Sequence, residues 1–150
     1  MGKLTAEQSI EIDAPRERCY EIVADLRSTP EWQKSMISCE VLETDSEGRA
    51  ELCEIVSDAK VRQVTSRYRF GYDEPNGITW EQEKGDMKSL TGFWHLEELD
   101  GDRTRASYSI EGDPGRMLGM LLRGPVESKV REFLTKDSTE GLKAYAEASA

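Results

Sequence analysis

SIEIDAPRERCYEIVADLRSTPEWQKSMISCEVLETDSEGRAELCE, residues 9–54, is the stretch whose reading decides the fold. Ser9-Ile10-Glu11-Ile12 alternates polar and apolar side chains, the period of a half-buried strand. Asp13-Ala14-Pro15 ends it. Proline suits a first helical turn because its missing N–H would have found no partner there, and Asp13 is placed to favour the exposed amides. Cys19, Ile22, Val23 and Leu26 then recur at spacings of three, one and three, the stripe of an amphipathic helix. Ser28 and Glu31 match a capping box, so a second short helix is expected to start at Ser28-Thr29-Pro30-Glu31, with Trp32 directly after it.

From Met36 to Gly112 the texture is that of strands. Asp45-Ser46-Glu47-Gly48, Asp73-Glu74-Pro75-Asn76-Gly77, Gly85-Asp86 and Asp100-Gly101-Asp102 are turn signals. Between them strands are expected over 37–43, 49–57, 60–72, 78–84, 87–99 and 104–111. Such short gaps imply an antiparallel meander rather than crossover units. Parity assigns the faces. Val64, Tyr68, Phe70 and Tyr72 share one side against Arg67 and Arg69, and Ile78 and Trp80 oppose Thr79, Glu81 and Glu83. Leu90, Gly92, Trp94 and Leu96 oppose His95 and Glu97, and Ala106, Tyr108 and Ile110 oppose Arg105, Ser107 and Glu111. One face is apolar and aromatic, the other charged, so one side of the sheet is covered. The cover is a long last helix from Pro125 to about Glu147. Val126, Val130, Phe133, Leu134, Leu142 and Tyr145 keep its phase, and Asp137, Ser138 and Gly141 interrupt the stripe.

Strand, two helices, six strands and a long helix is an order that resembles the SRPBCC superfamily, the START-like and pollen-allergen-like helix-grip proteins. Within it the likeness is greatest to the polyketide cyclase/dehydrase and lipid-transport group, and it covers essentially the whole chain. The resemblance implies an α+β helix-grip fold: a curved antiparallel sheet of about seven strands around the C-terminal helix, with two short helices between the first two strands. It also implies an internal apolar cavity.

Length and composition agree with one such domain. A chain of 150 residues can bury a sizeable core, and no linker or repeat divides it. Hydrophobic content is 37%, with no apolar run of membrane-spanning length. The first residues turn polar at once, so no signal peptide is expected, and Ala6 fails the Ser/Thr needed for acylation of Gly2. Cys19, Cys39 and Cys53 form no CxxC pair and no cluster with the lone His95, which points to reduced thiols in the cytoplasm and to no structural metal. Thirty acidic residues against 20 basic give a net charge of −10, which repels phosphate backbones and disfavours nucleic acid and anionic lipid surfaces as partners. Neither stable membrane insertion nor a cofactor is expected, and monomer and homodimer both stay open.

Candidate site residues follow from the covered face. Tyr68, Phe70, Trp80, Trp94 and Tyr108 converge on one volume, either as plain core or as the lining of a cavity of about a few hundred Å³, the usual size of a small-ligand site. Phe133 of the last helix is expected to join them. Gly112-Asp-Pro-Gly-Arg-Met-Leu-Gly-Met-Leu-Leu-Arg-Gly-Pro125 sets three further glycines among apolar residues. It reads as a buried helical turn or as an adaptable lip in which Met117, Met120 and Leu121 meet an incoming ligand. In the family this region tends to lie near the cavity mouth. Asp137 either drifts to solvent or, facing the cavity, has a raised pKa and works as acid or base. His95 points away from Trp94, so a surface role is expected. No nucleophile elbow, phosphate loop or zinc motif is present. Taken with the resemblance, these features imply binding of a hydrophobic or polycyclic small molecule. A polyketide cyclase/aromatase/dehydrase is the alternative, and a protein-interaction module without ligand is a third reading.

Overall fold

The computed structural model describes residues 4–148; Gly2, discounted above as an acylation site, lies outside them. In chain order the elements are β1 (Leu4–Ile12), α1 (Arg16–Ala24), a 3-10 turn (Leu26–Glu31), β2 (Met36–Thr44), β3 (Ala50–Asp58), β4 (Gln63–Asp73), β5 (Gly77–Gly85), β6 (Ser89–Leu99), β7 (Arg103–Asp113), α2 (Gly115–Leu121) and α3 (Pro125–Ala148). The strands form one antiparallel sheet in the order β1-β7-β6-β5-β4-β3-β2. Strands β2 to β7 are therefore a meander, and β1 closes it from the far side with Leu4 opposite Gly112 and Ile12 opposite Thr104. Register shifts between Val41 and Glu43 and between Arg67 and Tyr68 add the twist that lets the sheet curl. Helix α3 packs chiefly on β1 and also meets β7 and α1. This is the α+β helix-grip architecture that the family resemblance implied.

The parity reading of the faces is realised. Val64, Ser66 and Phe70 of β4, Ile78 of β5, Trp94 and Leu96 of β6, and Ala106, Tyr108 and Ile110 of β7 are buried. Arg67, Arg69, Glu81, His95 and Glu97 are exposed on the other side. There Arg69 pairs with Glu83 at 2.8 Å, Arg67 with Glu54 at 3.2 Å and Arg105 with Glu97 at 3.2 Å. Hydrogen bonds from Arg103 and then Arg105 hold the Glu11 carboxyl below its usual range. Exposed pairs of this kind contribute about 0–1 kcal/mol each, so the sheet is held from its inner face.

Local departures have local causes. Residues 60–62, expected as the start of β4, belong to a turn: the Ala59 N–H donates to the Arg62 carbonyl and Lys60 sits at φ +70°. Met87 and Lys88 precede β6, because Asp86 is tied to Thr65 through both its amide and its carboxylate. No capping box forms, since the 3-10 turn begins at Leu26 and the Ser28 hydroxyl donates to Asp25 Oδ2 at 2.8 Å. The Asp13 side chain does not cap α1; its N–H donates to Glu147 Oε2 of α3.

The apparent breaks in the α3 stripe are contacts. Ser138 is fully buried, and a Cβ at Gly141 would stand 2.1 Å from the Trp32 carbonyl oxygen. Glycine at 141 lets the chain after the 3-10 turn lie directly on α3. Packing there produces a large cluster that includes Ile12, Cys19, Val23, Leu96, Ala106 and Leu142. A smaller one gathers Val64, Met87, Leu118, Leu122 and Val130 near α2.

Candidate ligand-binding site

Between the two clusters, under the inner face of the sheet, lies a cavity of about 120 Å³. Tyr68, Phe70, Trp80, Trp94 and Tyr108 line it from the sheet, Trp32 and Gln33 from the loop after the 3-10 turn, and Val130 and Leu134 from α3. Leu118 and Leu122 close the side nearest α2. The volume falls short of the few hundred Å³ expected from the sequence, because aromatic rings fill most of the space. They form one unbroken chain: Trp32–Trp94 at 6.0 Å between centroids, Trp94–Tyr108 at 4.9 Å, Tyr108–Trp80 at 5.8 Å, Trp80–Phe70 at 6.1 Å and Phe70–Tyr68 at 6.5 Å. Gly92 makes room for the Trp80 indole, since a Cβ there would come within 2.4 Å of its ring. These separations and tilts fall in the favourable range for aromatic pairs, each adding about 0.5–1.5 kcal/mol beyond burial.

Of the polar side chains around this volume, Ser138, Ser66 and Gln82 are hydrogen-bonded within the protein. Burial pushes the Tyr108 phenol up to about 12, against the polar side chains of Ser138 and Gln33, which pull the other way. The Ser138 hydroxyl itself donates to the Leu134 carbonyl at 2.8 Å. Tyr68 is likewise raised by burial, with Ser66 as its opposing partner. Ser66 donates to Gln82 Oε1, and Gln82 Nε2 to the Met87 carbonyl, both at 2.8 Å. Both phenols therefore remain protonated near neutral pH, and the wall carries hydroxyls without charge.

In four places the structure differs from one of the sequence readings. Phe133 does not line the cavity; its ring lies under the Lys60 ammonium, 4.2 Å from Nζ to the centroid, at the edge of α3. Met117, Met120 and Leu121 point outward, at 77%, 60% and 47% exposure, and the inward positions of α2 and its C-cap are Leu118 and Leu122. Asp137 neither drifts to solvent nor reaches the cavity wall. Its Oδ2 accepts the Ser35 N–H at 2.7 Å, and the Ser35 carbonyl accepts from Asp58, so the carboxylate pins the β2 approach to α3. The fourth concerns Trp32, which belongs to the site and was read only as the residue after a helix start. Its signal was a lone Trp in a polar stretch, directly after Pro30-Glu31.

Among the described residues no three His, Cys, Asp or Glu side chains gather as a metal site. No helix of the described residues is long and apolar enough to cross a membrane. The three cysteines are free, two of them buried.

Solved structures share this architecture. A START superfamily protein from Mycobacterium smegmatis superposes with a TM-score of 0.85 at 17% identity, covering 99% of this chain and 100% of its own. A protein from Thermus thermophilus gives 0.83 at 22% identity, covering 97% and 99%. The Zhui aromatase/cyclase from a Streptomyces species gives 0.82 at 18% identity, covering 97% and 94%. At these identities they establish the fold alone. No curated protein matches the sequence. The family described as polyketide cyclase/dehydrase and lipid transport matches residues 12–136, from the last residue of β1 into the α3 stretch that walls the cavity. The chain belongs to that polyketide cyclase/dehydrase and lipid transport family.

Proposed function

We propose that this chain is a single START-like domain that encloses a hydrophobic small molecule, of lipid, polyketide or isoprenoid type, between its sheet and α3. The observation that carries this reading is the cavity at the seam of the two core clusters, walled by six aromatic rings and by aliphatic side chains of α2 and α3. Ligand sites are concave, mostly apolar and furnished with a few convergent polar groups, and this volume has those properties. At about 120 Å³ it accepts a group the size of one ring as it stands. A larger ligand needs the wall to move, and the wall that can move is Met87, Leu118 and Leu122, flexible aliphatic residues of the smaller cluster. Such a binder would work in the cytoplasm on a freely diffusing ligand.

A second reading is catalytic: closure and dehydration of a polyketide held in the same cavity. It draws on the family description and on the fold shared with an aromatase/cyclase. Tyr108 and Tyr68, kept neutral by burial, could donate to a substrate carbonyl while the cavity shape sets the geometry.

Native mass spectrometry of protein purified from its own host tests the first reading. The expected result is an additional mass that is lost on denaturation. An apo mass, together with no response of cavity methyl resonances to a small apolar probe such as indane, would overturn it. Turnover of a linear polyketide, with Tyr108→Phe losing activity while still binding, would move the protein to the second reading.

A further inference from the structure

Of the seven large apolar side chains exposed among the described residues, four fall within ten positions of one another: Met117, Met120, Leu121 and Val126. Met117, Met120 and Leu121 are spaced by three and four, so they share one face of α2. Leu118 and Leu122 turn the other way, into the smaller core cluster. Contiguous exposed apolar surface marks a place of interaction, whereas apolar residues scattered singly do not. The charge around this face differs from that of the chain. Residues 115–131 hold four cations, Arg116, Arg123, Lys129 and Arg131, against the single acid Glu127, a net +3 within a chain of −10. Arg131 pairs with Glu127 at 3.5 Å, and the Asp113 carboxylate accepts the Gly115 N–H and faces Lys88 at 3.9 Å. Arg116 and Arg123 are exposed and make no ion pair among the described residues. Both border the same surface groove as Met120 and Lys88.

We propose that the α2 tip docks reversibly on an anionic lipid surface. Met117, Met120 and Leu121 enter the boundary between headgroups and acyl chains, and Arg116 and Arg123 meet the lipid phosphates. The net charge of −10 does not prevent this, because at physiological ionic strength charges more than about 8 Å from the lipid are largely screened. The acidic remainder disfavours approach by other faces, so it selects the tip. A helix of seven residues is too small to span a bilayer. Four apolar side chains are also few beside the about 20–30 residues each partner gives to a stable protein interface. Docking brings Leu118 and Leu122, which wall the cavity, up to the lipid. It depends on this surface alone and holds with the cavity empty.

The test uses the full chain with vesicles of phosphatidylcholine, alone or mixed with phosphatidylglycerol. Co-sedimentation should show binding to the mixed vesicles, weaker binding to the neutral ones, and release at high salt. Arg116→Gln with Arg123→Gln should lower partition into the mixed vesicles by about thirtyfold, the effect of two cations at the surface. Methyl resonances of ¹³C-methionine report the orientation, each identified by its absence in a single Met→Ser variant. Mixed bicelles doped with a paramagnetic lipid should broaden Met117 and Met120 strongly and the buried Met87 far less. No binding to mixed vesicles, or binding that the arginine variant leaves unchanged, overturns the proposal. So does broadening of Met117 and Met120 with protein concentration in the absence of lipid, which would make this face a contact between copies of the chain. Should a variant not fold, the wild-type methyl resonances decide alone.

Discussion

The two ends of the space between sheet and α3 are built differently. At one end Ile12, Cys19, Val23, Leu96, Ala106, Leu142 and Ala146 are all at 1% exposure or less, drawn from β1, α1, β6, β7 and α3. At the other, Val64, Met87, Leu118, Leu122 and Val130 range from 2% to 8%, and the helix that supplies Leu118 has only seven residues. The closed end is tied by long elements that pack on each other from several directions. The α2 end depends on one short helix with a flexible Met opposite it. On the proposed reading, stability and access are separated in space, with the aromatic chain between them. Ligand-binding elements are drawn from low-stability segments, and under the proposed function the difference in packing assigns that part to the α2 end.

The largest expected effect contrasts the ends directly. Leu142→Ala should cost about 3–4 kcal/mol, in the range for a fully buried leucine that leaves an unrelaxed cavity. Leu118→Ala should cost nearer 2 kcal/mol, because α2 can collapse into the space already beside it. Urea unfolding of both variants checks this, and equal losses would erase the distinction.

Next comes pH. Tyr108 has an ordinary value of 10.0 that burial raises to about 12, so the folded state holds its proton more tightly than the unfolded chain. That contribution is fully present below pH 10 and is lost as pH rises towards 12. Two units correspond to about 3 kcal/mol. Wild-type stability should fall more steeply than that of Tyr108→Phe over this window, measured by denaturant titration at stepped pH.

Gly141→Ala should destabilise by about 2 kcal/mol, since its methyl meets the Trp32 backbone and helix propensity returns only up to about 1 kcal/mol. Trp32 fluorescence should shift with it. Asp137→Asn should cost under about 1 kcal/mol, the Ser35 amide keeping a neutral acceptor, and ligand affinity should not change. Smallest is Met117→Ser with Met120→Ser, within about 0.5 kcal/mol for exposed side chains; its effect should appear in ligand on- and off-rates.

How much of this was legible in the sequence varied with the period being read. Alternation along β4 to β7 placed Tyr68, Phe70, Trp80, Trp94 and Tyr108 inward, because a period of two leaves only two choices and charged residues marked the other face. Helix α2 offered no such contrast. In Arg116-Met-Leu-Gly-Met-Leu-Leu-Arg123 both the 117/120/121 set and the 118/122 set are apolar, and over two turns the phase is free. Phe133 stood one step beside the true α3 stripe, close enough to share its phase and far enough to end under Lys60. Trp32 and Gly141 were hidden for another reason. Their pairing joins positions more than a hundred residues apart, and the same glycine that permits it reads in sequence as an interruption. Asp137 misled similarly, because a carboxylate satisfied by a distant backbone amide looks the same in sequence as one aimed at a ligand.

Native-state hydrogen exchange tests the central claim most directly, since it measures the free energy of opening residue by residue. Amides of residues 115–123 should exchange by local opening well below the global stability, while those of β6 and β7 exchange only on global unfolding, and a bound apolar ligand should slow the first group selectively. Equal protection of 115–123 and of the central strands, with or without ligand, would mean a rigid core helix and would contradict the account.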